Sequence, residues 1–316
     1  PVLRVNVSKV EMMTGDIAKY EFRDPDGKDL PEWTAGAHLD IVVAPEYLRQ
    51  YSMSGDPADR SKYQIGVLRE DEGRGGSKLL HRIFADGRRV FISKPINHFP
   101  LKETATRTFL MGGGIGITPM IAMGHRLHTL GRDFALHYSV KTRASAGYLD
   151  DLADVPWADR VSIHVSDEGT RADLDGLLSG YESGWHVYTC GPDRYMNGVM
   201  EAAERQGFPE EARRLEYFSV PELPEYENHP FTLRLARSNR EVEVAANETG
   251  TDALARIGVH VDVKCSDGIC GVCKCGLVSG EVEHRDFVLS KAQRENSIIL
   301  CQSRAAEPDG VIEIDL

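Results

Sequence analysis

Four of the six cysteines fall within eleven residues, "CSDGICGVCKC" (265–275), and no other stretch restricts the fold so strongly. Thiols at this density either pair with one another or hold metal. No apolar run approaches the roughly 18–20 residues of a membrane span. The start, "PVLRVNVSKV", reads as an N-terminus after removal of an initiator Met and has no charged-then-apolar signal segment. A cytoplasmic protein with no membrane partner is therefore expected, and in a reducing compartment clustered thiols favour metal over bridges. A chain of 316 residues, 41% hydrophobic and 27% charged, has room for two or three domains with their own cores. Its net charge of −12 repels phosphate and argues against nucleic acid. Small molecules and protein partners remain.

Cys265, Cys270 and Cys273 are spaced CxxxxC then CxxC, and Cys301 lies 28 positions further on in "IILCQSRA". This is the ligand spacing of plant-type 2Fe-2S clusters. Bridging sulfides are stabilised by backbone N–H groups, so the chain must wrap the cluster closely, and Gly268 and Gly271 permit that approach. Zinc, the alternative, would more naturally show two CxxC-like pairs. Cys275 competes with Cys273, because an extended segment points both to one side. Cys273 keeps the CxxC spacing, which leaves Cys275 as a small buried hydrophobe. Residues from about 229 to 316 resemble a plant-type ferredoxin, an α+β fold of the β-grasp kind.

A cluster of this kind carries one electron at a time, so electrons must enter elsewhere. "RTFLMGGGIGITPM" (107–120) reads as an apolar strand, a glycine turn and a helix opening at Thr118 and Pro119. Gly113, Gly114, Ile115 and Gly116 would present N–H groups and a helix start to a phosphate. Tight packing of the turn is the plainer alternative, and Ile117 breaks the GxGxxG spacing. "HVYTCGPDRYMNGVMEAAERQG" (186–207) repeats the pattern of strand, turn (Cys190, Gly191, Pro192) and amphipathic helix. Alternating strands and helices over 104–222 predict a parallel sheet with ligand at its carboxyl edge. The two turns resemble those of the nicotinamide-binding domain in the ferredoxin-NADP reductase superfamily. That resemblance implies that Cys190 lies near the nicotinamide; a buried core thiol is the alternative.

Residues 1 to about 102 differ in texture. Short alternating strands such as "RVNVSKV", "HLDIVV" and "KYQIGVL" between Pro and Gly turns predict an antiparallel β-barrel. Within it lie "RQYSM" (49–53) and "EGRGGSKLLHRIF" (72–84). The pair resembles motifs of the flavoprotein superfamily, which implies that Arg49 pairs with a phosphate, Tyr51 packs on the flavin edge and Ser52 bonds a ring nitrogen, with Gln50 between them; a core Tyr and a plain turn are the alternatives. Gly75, Gly76 and Ser77 open a helix suited to a phosphate.

The order of barrel, nicotinamide domain and ferredoxin is similar to that of the phthalate dioxygenase reductase family. "RQYSM", "GRGGS", "GGGIGITP", "CGP", "CSDGICGVC" and "GEVEHRD" (280–286) carry the resemblance over essentially the whole chain. It implies FMN over residues 1–102, NADH over 103–222 and a 2Fe-2S cluster over 229–316, in a reductase serving a Rieske-type oxygenase. It also implies that Phe218, in "EYF", closes the nicotinamide–flavin contact, with linker packing as the alternative. The residues alone leave FAD open, since an adenosine site has no short motif. The proline-bearing "SVPELPEYENHP" (219–230) reads as a semi-rigid linker. His284 in "GEVEHRD" is read as structural.

Electron counting fits this order. NADH gives two electrons as a hydride, the cluster accepts one, and a flavin can hold two and release them singly. The loop "HYSVKTRASAGYLDDL" (137–152) offers Lys141, Thr142, Arg143 and Ser145, which keeps NADPH open beside NADH. Two alternatives compete with the Rieske reading: a reductase for a haem-thiolate monooxygenase, and a redox-sensing binding protein with no need of fast turnover.

Overall fold

The structure is a computed structural model that describes residues 2–45, 47–73, 75–219 and 226–316. Arg74 and the linker prolines Pro221 and Pro224 lie outside the described residues. The chain divides into two compact units, Pro1–Phe218 and Ser219–Leu316.

The first unit opens with seven strands: β1 (Val2–Met12), β2 (Ile17–Arg23), β3 (Ala37–Ala44), β4 (Tyr47–Ser52), β5 (Tyr63–Leu68), β6 (Arg89–Ser93) and β7 (Ile96–Asn97). They pair antiparallel in the order β4-β3-β6-β1-β2-β5, with β7 on β3. A bridge between Met53 and Ile65 brings the two ends together, so the sheet is a nearly closed barrel. The period of two explains the inside: Leu39, Ile41 and Val43 are buried while Val42 between them is exposed. Burying a side chain of this size contributes about 1.5–3 kcal/mol. Helix α1 (Gly76–Ile83) drives Leu80 into the same core.

Five parallel strands follow, β8 (Arg107–Gly113), β9 (Asp133–Val140), β10 (Val161–Val165), β11 (Trp185–Cys190) and β12 (Arg213–Glu216), in the order β10-β9-β8-β11-β12. Helices α2 (Ile117–Thr129), α3 (Leu149–Asp154), α4 (Leu174–Leu178) and α5 (Asp193–Arg205) connect them. The chain winds one way from β8 to β10 and the other way from β11 to β12. A crevice therefore opens at the carboxyl ends of β8 and β11, where such sheets bind ligands. Barrel and parallel sheet do not keep separate cores. One cluster runs from Phe22 and Ile65 in the barrel to Met120 of α2 and Tyr138 of β9.

The second unit is a mixed sheet of β13 (Phe231–Leu235), β14 (Arg240–Val244), β15 (Lys274–Ser279), β17 (Ser297–Ile299) and β19 (Val311–Ile314), ordered β14-β13-β19-β15-β17. The small pair β16 (Val282–Glu283) and β18 (Arg304–Ala305) stands apart. Helix α6 (Gly250–Arg256) is started by a capping box of Thr249 and Asp252 and buries Ala253 and Leu254; the four-residue α7 (Lys291–Arg294) precedes β17. Part of the expected linker belongs to this unit. Arg285 stacks 4.2 Å over Tyr226 and donates to Asn228 Oδ1 at 2.6 Å, and Arg304 donates to the His229 carbonyl at 2.9 Å. Two buried guanidiniums thus fasten residues 226–229, the end of the stretch read as a semi-rigid linker.

Candidate functional site

In the barrel, Arg49 and the start of α1 come together. Gly76 is the first residue of that helix, and a Cβ there would overlap the Arg49 guanidinium. Gly75 holds φ +83, a left-handed conformation that favours glycine, with the Tyr47 hydroxyl beside it. Arg49 lies 5.0 Å over the Tyr47 ring. This sets a cation beside the N–H groups of a helix start, an arrangement chemically suited to an anion. Ser77 turns its hydroxyl back to accept from Glu70 N at 3.1 Å. Gln50 does not join them; it is exposed, and its amide donates to Asp40 on the neighbouring strand at 3.2 Å. Tyr51 packs half-buried against the barrel core, and burial pushes its phenol pKa up.

The two turns of the parallel sheet meet backbone to backbone. A Cβ on Gly116 would overlap the Cys190 carbonyl, and one on Gly191, at φ +147, would lie 2.7 Å from the Gly113 carbonyl oxygen. Gly113 is flanked by Pro192 and Tyr195. Gly114, at φ +53, has nothing within 4 Å of its Cβ direction, so its backbone is open to an approaching group. Ile115 is half-buried; Thr118 and Pro119 are buried, and Thr118 donates to the Ile115 carbonyl at 3.0 Å. The helix starts one residue earlier than expected, at Ile117, after a tight turn over Gly114–Gly116.

One residue escaped the sequence reading. Ser52 Oγ, at the end of β4, donates to Glu216 Oε2 at 2.9 Å, and Glu216 pairs with Cys190 in the sheet. Burial raises the Glu216 carboxyl from 4.5 to about 7. Burial, helped by the Glu216 charge, holds the Cys190 thiol protonated. Ser52, Cys190 and Glu216 thus form one floor where the barrel meets the carboxyl edge of the parallel sheet. Phe218, two residues on, is 43% exposed. The basic loop is also rearranged by a contact invisible in sequence. Arg143 donates from Nε and Nη2 to both carboxylate oxygens of Glu168, at 2.8 and 2.7 Å.

In the second unit the thiols sort cleanly. Cys265 hydrogen-bonds with Cys270 and Cys301, and Cys301 with Cys273; these contacts hold Cys265 far below the ordinary thiol range. Asp267 N points at Cys265 Sγ at 3.3 Å, and Gly268 and Gly271 take left-handed φ of 74° and 71° to turn the loop. Cys273 and Cys301 are buried, whereas Cys265 and Cys270 are half-buried. Cys275 faces elsewhere, into the core with Phe231 and Leu233. The two do not compete as an extended segment would allow, because Cys273 lies in a turn, closed by Lys274 N to the Gly271 carbonyl, and the strand begins only at Lys274. The residue after "GEVEHRD" braces the loop, Phe287 N donating to the Gly268 carbonyl, while buried Asp286 turns its own segment by accepting from Leu289 N at 2.8 Å. His284 Nδ1 sits 3.6 Å from Asp286 Oδ1. Four thiols linked in a chain of contacts, from Cys270 through Cys265 and Cys301 to Cys273, with the Asp267 amide directed at Cys265, have the donor chemistry of a cluster held by thiolates.

Comparison with known proteins agrees with this geometry. A family model described as a 2Fe-2S iron-sulfur cluster binding domain matches residues 233–306. Phthalate dioxygenase reductase from Burkholderia cepacia is 36% identical over 99% of this chain and 97% of its own. A solved phthalate dioxygenase reductase, described as a modular structure for electron transfer from pyridine nucleotides to [2Fe-2S], superposes with a TM-score of 0.70 at 35% identity, covering 100% of this chain and 98% of that one. An intact type IV self-sufficient cytochrome P450 monooxygenase matches at TM-score 0.86 and 37% identity; this chain is covered fully but spans only 41% of that protein. Among the described residues no helix is long and apolar enough to cross a membrane.

Proposed function

Because the chain belongs to the phthalate dioxygenase reductase family, we propose that it is the reductase of a Rieske-type aromatic ring-hydroxylating or demethylating oxygenase system, carrying electrons from NADH through FMN to a 2Fe-2S cluster and on to the oxygenase. The chain is an oxidoreductase, and the work divides over residues 1–102 for FMN, 103–222 for NADH and 229–316 for the cluster. Arg49 with Gly75, Gly76 and Ser77 would hold the FMN phosphate, and Tyr51 and Ser52 its ring. The Gly113–Gly116 turn, Thr118, Pro119 and the Cys190–Pro192 turn would hold NADH, with Phe218 at the contact between the two. Cys265, Cys270, Cys273 and Cys301 would ligate iron. FMN, when bound, takes the two electrons of a hydride and passes them on singly. The protein's part is placement and proton control. Glu216, raised to about 7 beside the Ser52 hydroxyl, takes on its charge only as pH rises through neutrality, so below that range the floor under the reacting atoms is uncharged.

The observation that carries this reading is the 2.9 Å bond from Ser52 to Glu216, which joins the flavin motif to the Cys190 turn. NADH is favoured over NADPH because Glu168 already occupies both arms of Arg143, the cation a 2'-phosphate would need. A cytoplasmic setting belongs to the same proposal, since disulfides would compete with iron for the thiols. The likeness to a P450 fusion supports a second reading, delivery to a haem-thiolate monooxygenase. Anaerobic mixing with NADH tests both. The flavin should bleach within one turnover time, and electrons should then appear in a Rieske oxygenase faster than in a P450. Bleaching too slow for turnover would instead favour a redox sensor.

A further inference from the structure

Among the described non-glycine residues of the first unit, Tyr148 alone has a positive φ. It precedes α3 in a left-handed conformation, φ 64° and ψ 11°, which a bulky side chain adopts only when its surroundings impose it. It is 2% exposed, and burial pushes its phenol pKa up. Its hydroxyl lies 2.9 Å from Ser54 Oγ, two residues beyond Ser52. The same hydroxyl and the Thr118 methyl of the glycine-turn helix converge on Gly66 of β5, where an added Cβ would stand 2.5 and 2.9 Å from them. Lys19 of β2 completes the arrangement, 5.9 Å over the Tyr148 ring and 2.5 Å from Asp151 of α3.

We infer that Tyr148 is a positioning residue for hydride transfer: seated in the notch left by Gly66, it sets the distance between the strand carrying Ser52 and the helix carrying Thr118. This rests on the proposed roles of those two segments. Tyr148 takes no part in any bond that forms or breaks as the dihydronicotinamide is oxidised and the flavin reduced. Its effect is on register alone, and misplacement of reacting atoms by an ångström can cost on the order of a hundredfold. Neither partner could be found from spacing, since Tyr148 and Ser54 are 94 residues apart.

Tyr148→Phe in the full-length, flavin-loaded protein tests it. The expected result is a flavin-bleaching rate at saturating NADH lowered about tenfold per bound flavin, with the Kd for NADH and the flavin content unchanged. Hydrogen exchange should quicken together in peptides covering 53–66 and 114–120, and stay constant over 231–316. An unchanged rate, or a loss of flavin and thermal stability with an unchanged rate per bound flavin, would overturn the inference. Should the Phe variant fail to fold, Ser54→Ala removes the same bond from the other side and must give the same split between rate and Kd. If NADH fails to bleach the wild-type flavin, the functional reading itself falls, which separates the two failures.

Discussion

Glu216 is the residue on which the site's chemistry can be read from pH alone. Its carboxyl is raised from 4.5 to about 7, mainly by burial. The folded protein therefore holds a proton that the unfolded chain has lost between those values, and stability falls as pH rises through that window. Glu216→Gln, neutral throughout, should flatten the fall of melting temperature between pH 4.5 and 7 while leaving the barrel and its flavin in place. A variant that keeps the wild-type slope would assign the titration to another group. The thiols give the second test at this scale. Cys270→Ser should weaken or abolish the cluster's visible and EPR signals, because the Cys270 thiol lies in hydrogen-bond contact with Cys265 in the thiol group. NADH should still reduce a two-electron dye. Cys275→Ser should keep the signals, since its side chain belongs to the apolar core and not to the thiol group; loss of the cluster there would overturn the ligand set.

At the scale of elements, the two turns of the parallel sheet stand or fall together. Gly116→Ala would thrust a Cβ into the Cys190 carbonyl. Overpacking of this kind costs about 1–3 kcal/mol, and parting the turns should also weaken NADH binding. Gly114→Ala meets open space and should cost only its left-handed backbone, about 1–2 kcal/mol. A urea titration and an NADH binding curve on each variant separate the two effects: equal NADH affinities would mean that the turns do not act as a pair. These turns were legible in the sequence because a strand, a glycine turn and a helix are written in consecutive residues. The barrel strands were legible for the same reason, through their period of two. Glu216 was not, being one acidic residue at a strand end, brought to Ser52 across 164 residues of chain. The pairing of Arg143 with Glu168 was hidden likewise, as it depends on two loops meeting at one sheet edge. Cys275 was separable from Cys273 by the CxxC spacing alone; the turn at Gly271–Lys274 that points the two thiols apart was not.

At the scale of the whole molecule, the division at Phe218 and Ser219 predicts that each unit survives alone. The continuous core from Phe22 to Tyr138 makes the barrel and the parallel sheet one folding body, so a cut near residue 102 should leave neither half stable, whereas residues 1–219 should fold and reduce a two-electron dye with NADH. That piece should fail with a one-electron protein acceptor, because the cluster is absent. The other piece carries a sharper test, of where the second unit truly begins. Arg285 is 7% exposed, and Tyr226 and Asn228 are among its partners. A piece starting at residue 226 keeps them; one starting at 230 leaves a buried guanidinium short of an acceptor and uncovers its stacking face. Each lost contact to a charged group costs about 1.5–3 kcal/mol. Urea unfolding should therefore place 226–316 above 230–316 by at least one such contact, with the cluster present in both. Equal midpoints would show that residues 226–229 are tether and nothing more, and that the unit is complete from Phe231 onward.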